Sequence, residues 1–271
     1  MKTNDSNDVK LIIHMDDMGM GYAANTAGIE LFEQGLVTSA SVMVPCAWAY
    51  DFIQWSQKNP QYDVGIHATH TCEWETARWR PLSTFSNVPE LLDEDGFMLR
   101  KMDADLSSKA IEQLNLETKI QIEQALKWGM HPSHLDSHMC THIVNMDLLK
   151  SYCTIANDYN LIPKIPTWAL WDDMRKSLAH STGHPIAKDI SPEIKLDNID
   201  TIKTDFINKL KALEPGIYIT TIHPIIDTQE IRAIIPGWKN RYKEYLLFMD
   251  TDFKEKIIAN GIKLVTWNNI K

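Results

Sequence analysis

The 271-residue chain has little cysteine and nowhere spaces it for a metal knuckle. Cys46, Cys72, Cys140 and Cys153 lie far apart with no C-x-x-C pair, so scattered reduced thiols are expected rather than a disulfide framework. No apolar run approaches the roughly 18 residues that cross a bilayer, which sets a membrane partner aside. A basic block is missing too. Lys plus Arg number 27 against 36 for Asp plus Glu, a net charge of −9. Such a chain is poorly suited to hold a phosphate backbone, and no nucleic-acid partner is expected. The opening MKTNDSNDVK lacks an apolar signal core, so a cytoplasmic location is expected, a removed leader aside. Composition leaves the oligomeric state open, a homo-oligomer included.

What is present is a regular alternation. Apolar runs read as strands at 9–15, 38–44, 63–69, 132–138, 161–168, 216–224 and 262–267. Helical patterns lie between them at 23–35, up to about Ser56, 107–129, 145–159, 199–213 and 239–259, the last broken near Thr251. Two stretches, about 70–105 and 169–198, carry Pro and Gly breakers and read as long loop insertions. About seven strand–helix units with no internal linker predict one α/β domain over residues 1–271. The expected fold is an irregular TIM-like (β/α) barrel of about seven parallel strands.

The unusual residues fall at strand ends. Strand one runs LIIHMDDMGMG and stops on Asp16 and Asp17. His67 ends strand three, and His134, Asp136 and His138 lie along strand four in HLDSH. His223 ends the late strand in TTIHP. Each residue alone has an ordinary structural reading, as a cap or a hydrogen-bonded histidine. In a parallel α/β fold, however, all these ends share one rim, where active sites sit. Histidines and carboxylates gathered there suit a divalent metal. Of two adjacent carboxylates, one can bind the metal while the other takes a proton from water.

The DD-G after strand one, GIH ending strand three, P-HLDSH---H and the late HP---D resemble the YdjC-like (ChbG/HpnK) carbohydrate deacetylases, relatives of the polysaccharide deacetylases. The motifs run from Asp16 to Asp227. The resemblance implies a TIM-like barrel that removes an N-acetyl group from an amino sugar or short chitooligosaccharide. It implies Asp17, His67 and His138 as metal ligands, Asp16 as general base and His223 as general acid. The chain departs from the family's usual NADDFG with HMDDMG. It also places Met139, Cys140 and Thr141 where further histidines are common, which leaves the substrate open.

Asp227 is expected to orient His223, and Asp136 to support a metal-bound histidine from behind. Trp74, Arg78 and Trp79, in HTCEWETARWRPLS after strand three, are candidates to stack on and hydrogen-bond a sugar, with Trp packing as the ordinary alternative. One divalent ion is expected, zinc or magnesium first, with manganese or cobalt also open. The competing readings are a metal-dependent hydrolase of a phosphoester or cyclic amide, for which Arg78, Arg80 and Arg232 are available, and a non-catalytic sugar-binding protein with a structural metal.

Overall fold

The computed structural model describes residues 8–195 and 198–270. Residues 1–7, most of the polar N-terminal stretch, lie outside the described residues. So do residues 196–197, at the end of the second loop-rich stretch, and Lys271. The chain runs β1 (Val9–Met18), α1 (Tyr22–Glu33), β2 (Ser39–Val42), α2 (Ala49–Lys58), β3 (Asp63–Ala68), α3 (Ser108–Lys127), β4 (His134–Ser137) and α4 (Met146–Asp158). It continues through β5 (Ile162–Pro163), α5 (Asp173–Ser181), β6 (Lys188–Asp189), α6 (Ile199–Lys211), β7 (Gly216–Ile222), α7 (Gln229–Ile234), α8 (Trp238–Phe248), α9 (Thr251–Ala259), β8 (Lys263–Leu264) and α10 (Trp267–Ile270). No described helix is long and apolar enough to cross a membrane.

All described strand pairs are parallel, in the order β5-β4-β3-β2-β1-β7-β6. Short β8 pairs with Lys10 and Leu11 on β1, below the point where β2 joins at His14. The sheet curls into the expected TIM-like α/β barrel. Between β5 and β6 a side chain bridges the sheet edges: Asp189 Oδ2 accepts from the Thr167 N–H and Oγ1–H, each at 2.6 Å.

Strand alternation sorts the side chains into two environments. Leu11, Ile13 and Met15 of β1 face outward into the main core, with Leu31 and Phe32 of α1. Ile12 faces inward and packs with Ile162, Ala187, Ile219 and Trp267, which close the lower end of the barrel. Burying an aliphatic side chain of this size contributes about 1.5–3 kcal/mol. Above this plug the inward positions turn polar: His14 on β1, Ser39 and Ser41 on β2, His67 on β3, His134 and Asp136 on β4. Gly65 on β3 is an inward position without a side chain. A Cβ there would lie 2.4 Å from His134 Nε2, so glycine makes room for that ring inside the barrel.

The two loop-rich stretches differ. The first holds a short 3-10 turn at Pro89–Leu91 and an antiparallel bridge between Leu92 and Met98. The second is not loop throughout: it contains α5, capped by the Asp172 side chain on the Arg175 N–H, and the edge strand β6. Pattern missed α5 because its inner face buries only Arg175 and Ala179, too few apolar positions to give a helical period. The helix expected at 239–259 is broken near Thr251 as expected: α8 ends at Phe248, and Asp250 caps α9 through the Phe253 N–H at 2.9 Å.

Candidate active site

The two carboxylates at the end of β1 pose a geometric problem, because alternation would send one inward and the other into the helix layer. The backbone resolves it. Pairing with β2 slips register between Met15 and Met18, and Asp17 takes a left-handed conformation with φ of 67°. That conformation is uncommon outside glycine, but Asp tolerates it better than most residues. Asp16 and Asp17 therefore both line one cavity of about 330 Å³, together with His67, Asp136, His138 and His223.

Asp17, His67 and His138 converge, each 3% exposed or less. Asp17 Oδ1 lies 3.3 Å from His67 Nε2 and 3.2 Å from His138 Nδ1. Each imidazole turns its other nitrogen to a different carboxylate: His67 Nδ1 bonds Asp136, and His138 Nε2 sits 2.9 Å from Glu73 Oε2. This is the arrangement in which outer carboxylates fix the tautomer and aim of metal-binding histidines, so the donor set fits a divalent cation. Two other clusters, His14–His134–Asp136 and Asp16–His67–Asp136, also bring three donors together. Both depend on Asp136, whose Oδ2 already meets Ser41 Oγ at 2.9 Å and the Lys164 ammonium at 3.1 Å, so a positive charge already occupies that side.

Asp16 belongs to a separate ring of contacts. His14 Nε2 lies 3.0 Å from both Asp16 Oδ1 and Asp136 Oδ2, and Lys164 Nζ lies 3.0 Å from Asp16 Oδ1 and 3.1 Å from Asp136 Oδ2. Donors and acceptors thus alternate around the ring. One oxygen of Asp16 is anchored there, and the other, Oδ2, faces His223 Nε2 at 3.7 Å.

Electrostatics follows from these contacts. Burial opposes charge on Asp16, but Lys164, His67 and His14 together overcome it and hold the carboxyl at about 2. Burial likewise opposes charge on Asp17, while Arg241 Nη1, 2.6 Å from Oδ2, and the two imidazoles hold it well below the carboxylate range. His67 would lose its proton by burial alone, yet Asp136 and Asp16 raise it to about 10. His138 also shifts upward against burial, through Asp17 and Glu73. His223 moves the other way, to about 4, through desolvation and the Arg241 charge. Its side chain is 38% exposed, and water beside the ring moderates that depression.

Several sequence expectations land elsewhere. Asp227 does not orient His223. It forms a bidentate pair with Arg232, with Nε–Oδ1 at 2.6 Å, and the His223 backbone N–H donates instead to Glu244 at 2.7 Å. Trp74, Arg78 and Trp79 border a neighbouring cavity rather than the one holding Asp16 and Asp17. Arg78 is held within the loop: its Nη2 binds Asp93 and the Met98 carbonyl at 2.8 Å each, its Nε meets Cys72 Sγ at 3.3 Å, and the guanidinium lies over Phe97. Trp79 is buried, donates to the Thr71 carbonyl at 2.9 Å and edges His138. Trp74 is buried beneath Arg241. The loop folds back on itself, and Arg78 and Trp79 spend hydrogen bonds within it. Asp136 does stand behind His67. Sequence reading missed Glu73, Lys164, Arg241 and His14. Position two after His14 on an inward-facing strand is Asp16, and that alternation was the one available clue to His14.

A sequence model of the family described as YdjC-like protein matches residues 10–259. A carbohydrate deacetylase of Thermus thermophilus is 30% identical, covering 96% of this chain and 93% of the relative. A chitooligosaccharide deacetylase of Yersinia enterocolitica is 29% identical over 135 residues, 49% of this chain and 51% of the relative. Among solved structures, one from Enterococcus faecalis superposes with a TM-score of 0.80 at 22% identity, covering 97% of this chain and 98% of that one, a likeness of fold.

Proposed function

From the premise that this chain belongs to the YdjC-like protein family, we propose that it is a metal-dependent hydrolase that removes an N-acetyl group from an amino sugar or short chitooligosaccharide. The observation that carries the reading is the juxtaposition of Asp17, His67 and His138 with Asp16, whose free oxygen points into the same cavity. The relatives named carbohydrate deacetylase, matched along nearly the full chain, support the substrate class.

Asp17, His67 and His138 would hold one divalent cation, zinc or magnesium first, with manganese or cobalt compatible with the same oxygen and nitrogen donors. When bound, such a cation polarises the acetamide carbonyl and makes a water acidic. Asp16 then takes a proton from the attacking water on Oδ2, since His14 and Lys164 keep Oδ1 engaged. His223, 3.7 Å away and neutral at rest, relays that proton to the departing nitrogen as the C–N bond breaks. A C–O bond forms as the C–N bond breaks, giving the free amine and acetic acid, which loses the water's second proton to solvent to become acetate. Lys164 and Arg241 keep Asp16 and Asp17 ionised and in place.

A phosphoester substrate is less well served. Among the described residues Arg241 is the one arginine that lines the cavity, and it is drawn to Asp17 through Nη1 at 2.6 Å. Lys164 is paired with Asp16, and Arg78 and Arg232 pair with carboxylates elsewhere, so the cations available to phosphate there are already committed. The test is acetate release from N-acetylglucosamine and diacetylchitobiose by metal-stripped protein, before and after zinc, magnesium, manganese or cobalt is restored. Release that returns with metal supports the reading; stoichiometric metal binding without release from any N-acetyl sugar overturns it.

A further inference from the structure

The cavity around Asp16 and Asp17 measures about 330 Å³. That is at the low end for ligand pockets and gives room for about one N-acetylhexosamine ring. A second ring would have to rest on the rim. Just after β5 the chain carries two indoles, Trp168, which lines the cavity, and Trp171 three residues further on, 58% and 60% exposed. Exposure on that scale is unusual for tryptophan, whose large apolar surface normally buries.

Neither indole stands on a loose segment. The 3-10 turn Thr167–Ala169 is tied to β6 by the two Thr167 donors on Asp189 Oδ2. Trp171 lies on the Arg175 guanidinium, 4.0 Å from Cζ to ring centroid, and the Arg175 side chain is itself only 7% exposed. One face of Trp171 therefore rests on the protein and the other meets water. Rigid flat apolar faces with a polar edge match the C–H face of a pyranose ring, and holding them ready lowers the entropy cost of binding.

We propose that Trp168 and Trp171 form a saccharide platform that selects substrates of two or more rings, Trp168 taking the ring next to the cavity and Trp171 the one after. This rests on the deacetylase reading above and deepens it. No group in the cavity need move for the platform to act.

The experiment compares kcat/KM for N-acetylglucosamine, diacetylchitobiose and triacetylchitotriose in the metal-loaded wild type, Trp168→Ala and Trp171→Ala. An aromatic–sugar contact of ordinary strength predicts a loss of about tenfold for Trp168→Ala on the two longer sugars, through KM, with less than about threefold on the monosaccharide. Trp171→Ala should lower only the trisaccharide value. Equal losses on all three sugars, or no loss on any, overturn the platform. If the wild type hydrolyses none of them, the deacetylase reading has failed, and tryptophan fluorescence titrated with the same sugars decides the platform separately. A length-dependent change lost in Trp168→Ala supports it, and no change with any sugar overturns it.

Discussion

His67 and His142 are each 2% exposed, yet their surroundings treat a proton in opposite ways. His67 stands between Asp17, Asp16 and Asp136, and its proton is held up to about 10. His142 stacks on Tyr152 at 4.1 Å, neither ring nitrogen has a protein partner among the described residues, and burial drives it down to about 3. His138 belongs with His67, whereas His134 shifts down as His142 does, through burial and the neighbouring His14, even with Asp136 nearby. Burial alone therefore makes a histidine here a neutral packing ring. A carboxylate on each ring nitrogen, as at His67 and His138, makes it part of a site that favours positive charge, whether that charge is a proton or a divalent cation. The sequence HLDSHMCTH contains both kinds within nine residues, so residue type cannot separate them.

The largest effect should come from the residue that uses the charged group without belonging to it. Asp16→Asn keeps the shape and the His14 contact but cannot accept a proton on Oδ2. Acetate release should fall by about a thousandfold, within the range for a lost general base. Metal content, measured by elemental analysis, should stay at the wild-type level. Loss of metal together with activity would place Asp16 among the ligands instead.

Next come the ligands themselves. His67→Ala should weaken metal binding by at least about a hundredfold, whereas His142→Ala should leave it within about threefold, as judged by competition with a chelator. The wild type should also bind metal more tightly as pH rises from 6 to 8. His67 and His138 carry raised proton affinities, so below those values a cation must displace their protons, and each unit of pH lowers that competition. A flat pH profile would contradict the contrast drawn between the two kinds of histidine. Glu73→Gln tests the support for His138. It removes a charge 2.9 Å from Nε2 while leaving the ligand atom intact, and should cost about tenfold to a hundredfold in metal affinity.

These residues were unevenly legible. The ends of β1, β3, β4 and β7 could be read because a buried apolar run that stops on Asp or His has few structural explanations, and parallel topology places such ends together. The adjacent pair Asp16–Asp17 hinted at a broken alternation, but only the left-handed backbone at Asp17 shows how both reach one cavity. Lys164 and Arg241 were not legible. In sequence they are unremarkable cations on a proline-rimmed strand and a helix, and only folding brings them to Asp16 and Asp17 across 148 and 224 residues. Arg78 misled for the converse reason. An arginine between tryptophans looks like a sugar site until Asp93 and Met98 fold back to claim it. Strand β6 escaped because two exposed residues carry no period at all.

The smallest effect probes the packing histidines through stability. His142 has a folded pKa depressed to about 3 from an ordinary 6.5. Between those values the unfolded chain binds the proton and the folded chain does not. Stability therefore rises with pH across that window and is lost on acidification. His70, held near 4 by burial between Thr118 and Thr141, contributes with the same sign. His142→Phe keeps the stack on Tyr152 and removes the titration. Its unfolding free energy at pH 7 should stay within about 1 kcal/mol of wild type, as volume-conserving core changes usually do. Between pH 7 and pH 5 the variant should lose about 2 kcal/mol less than the wild type, measured by urea unfolding at both pH values. An unchanged difference would mean that His142 is already protonated in the fold, and that it belongs with His67 rather than opposite it.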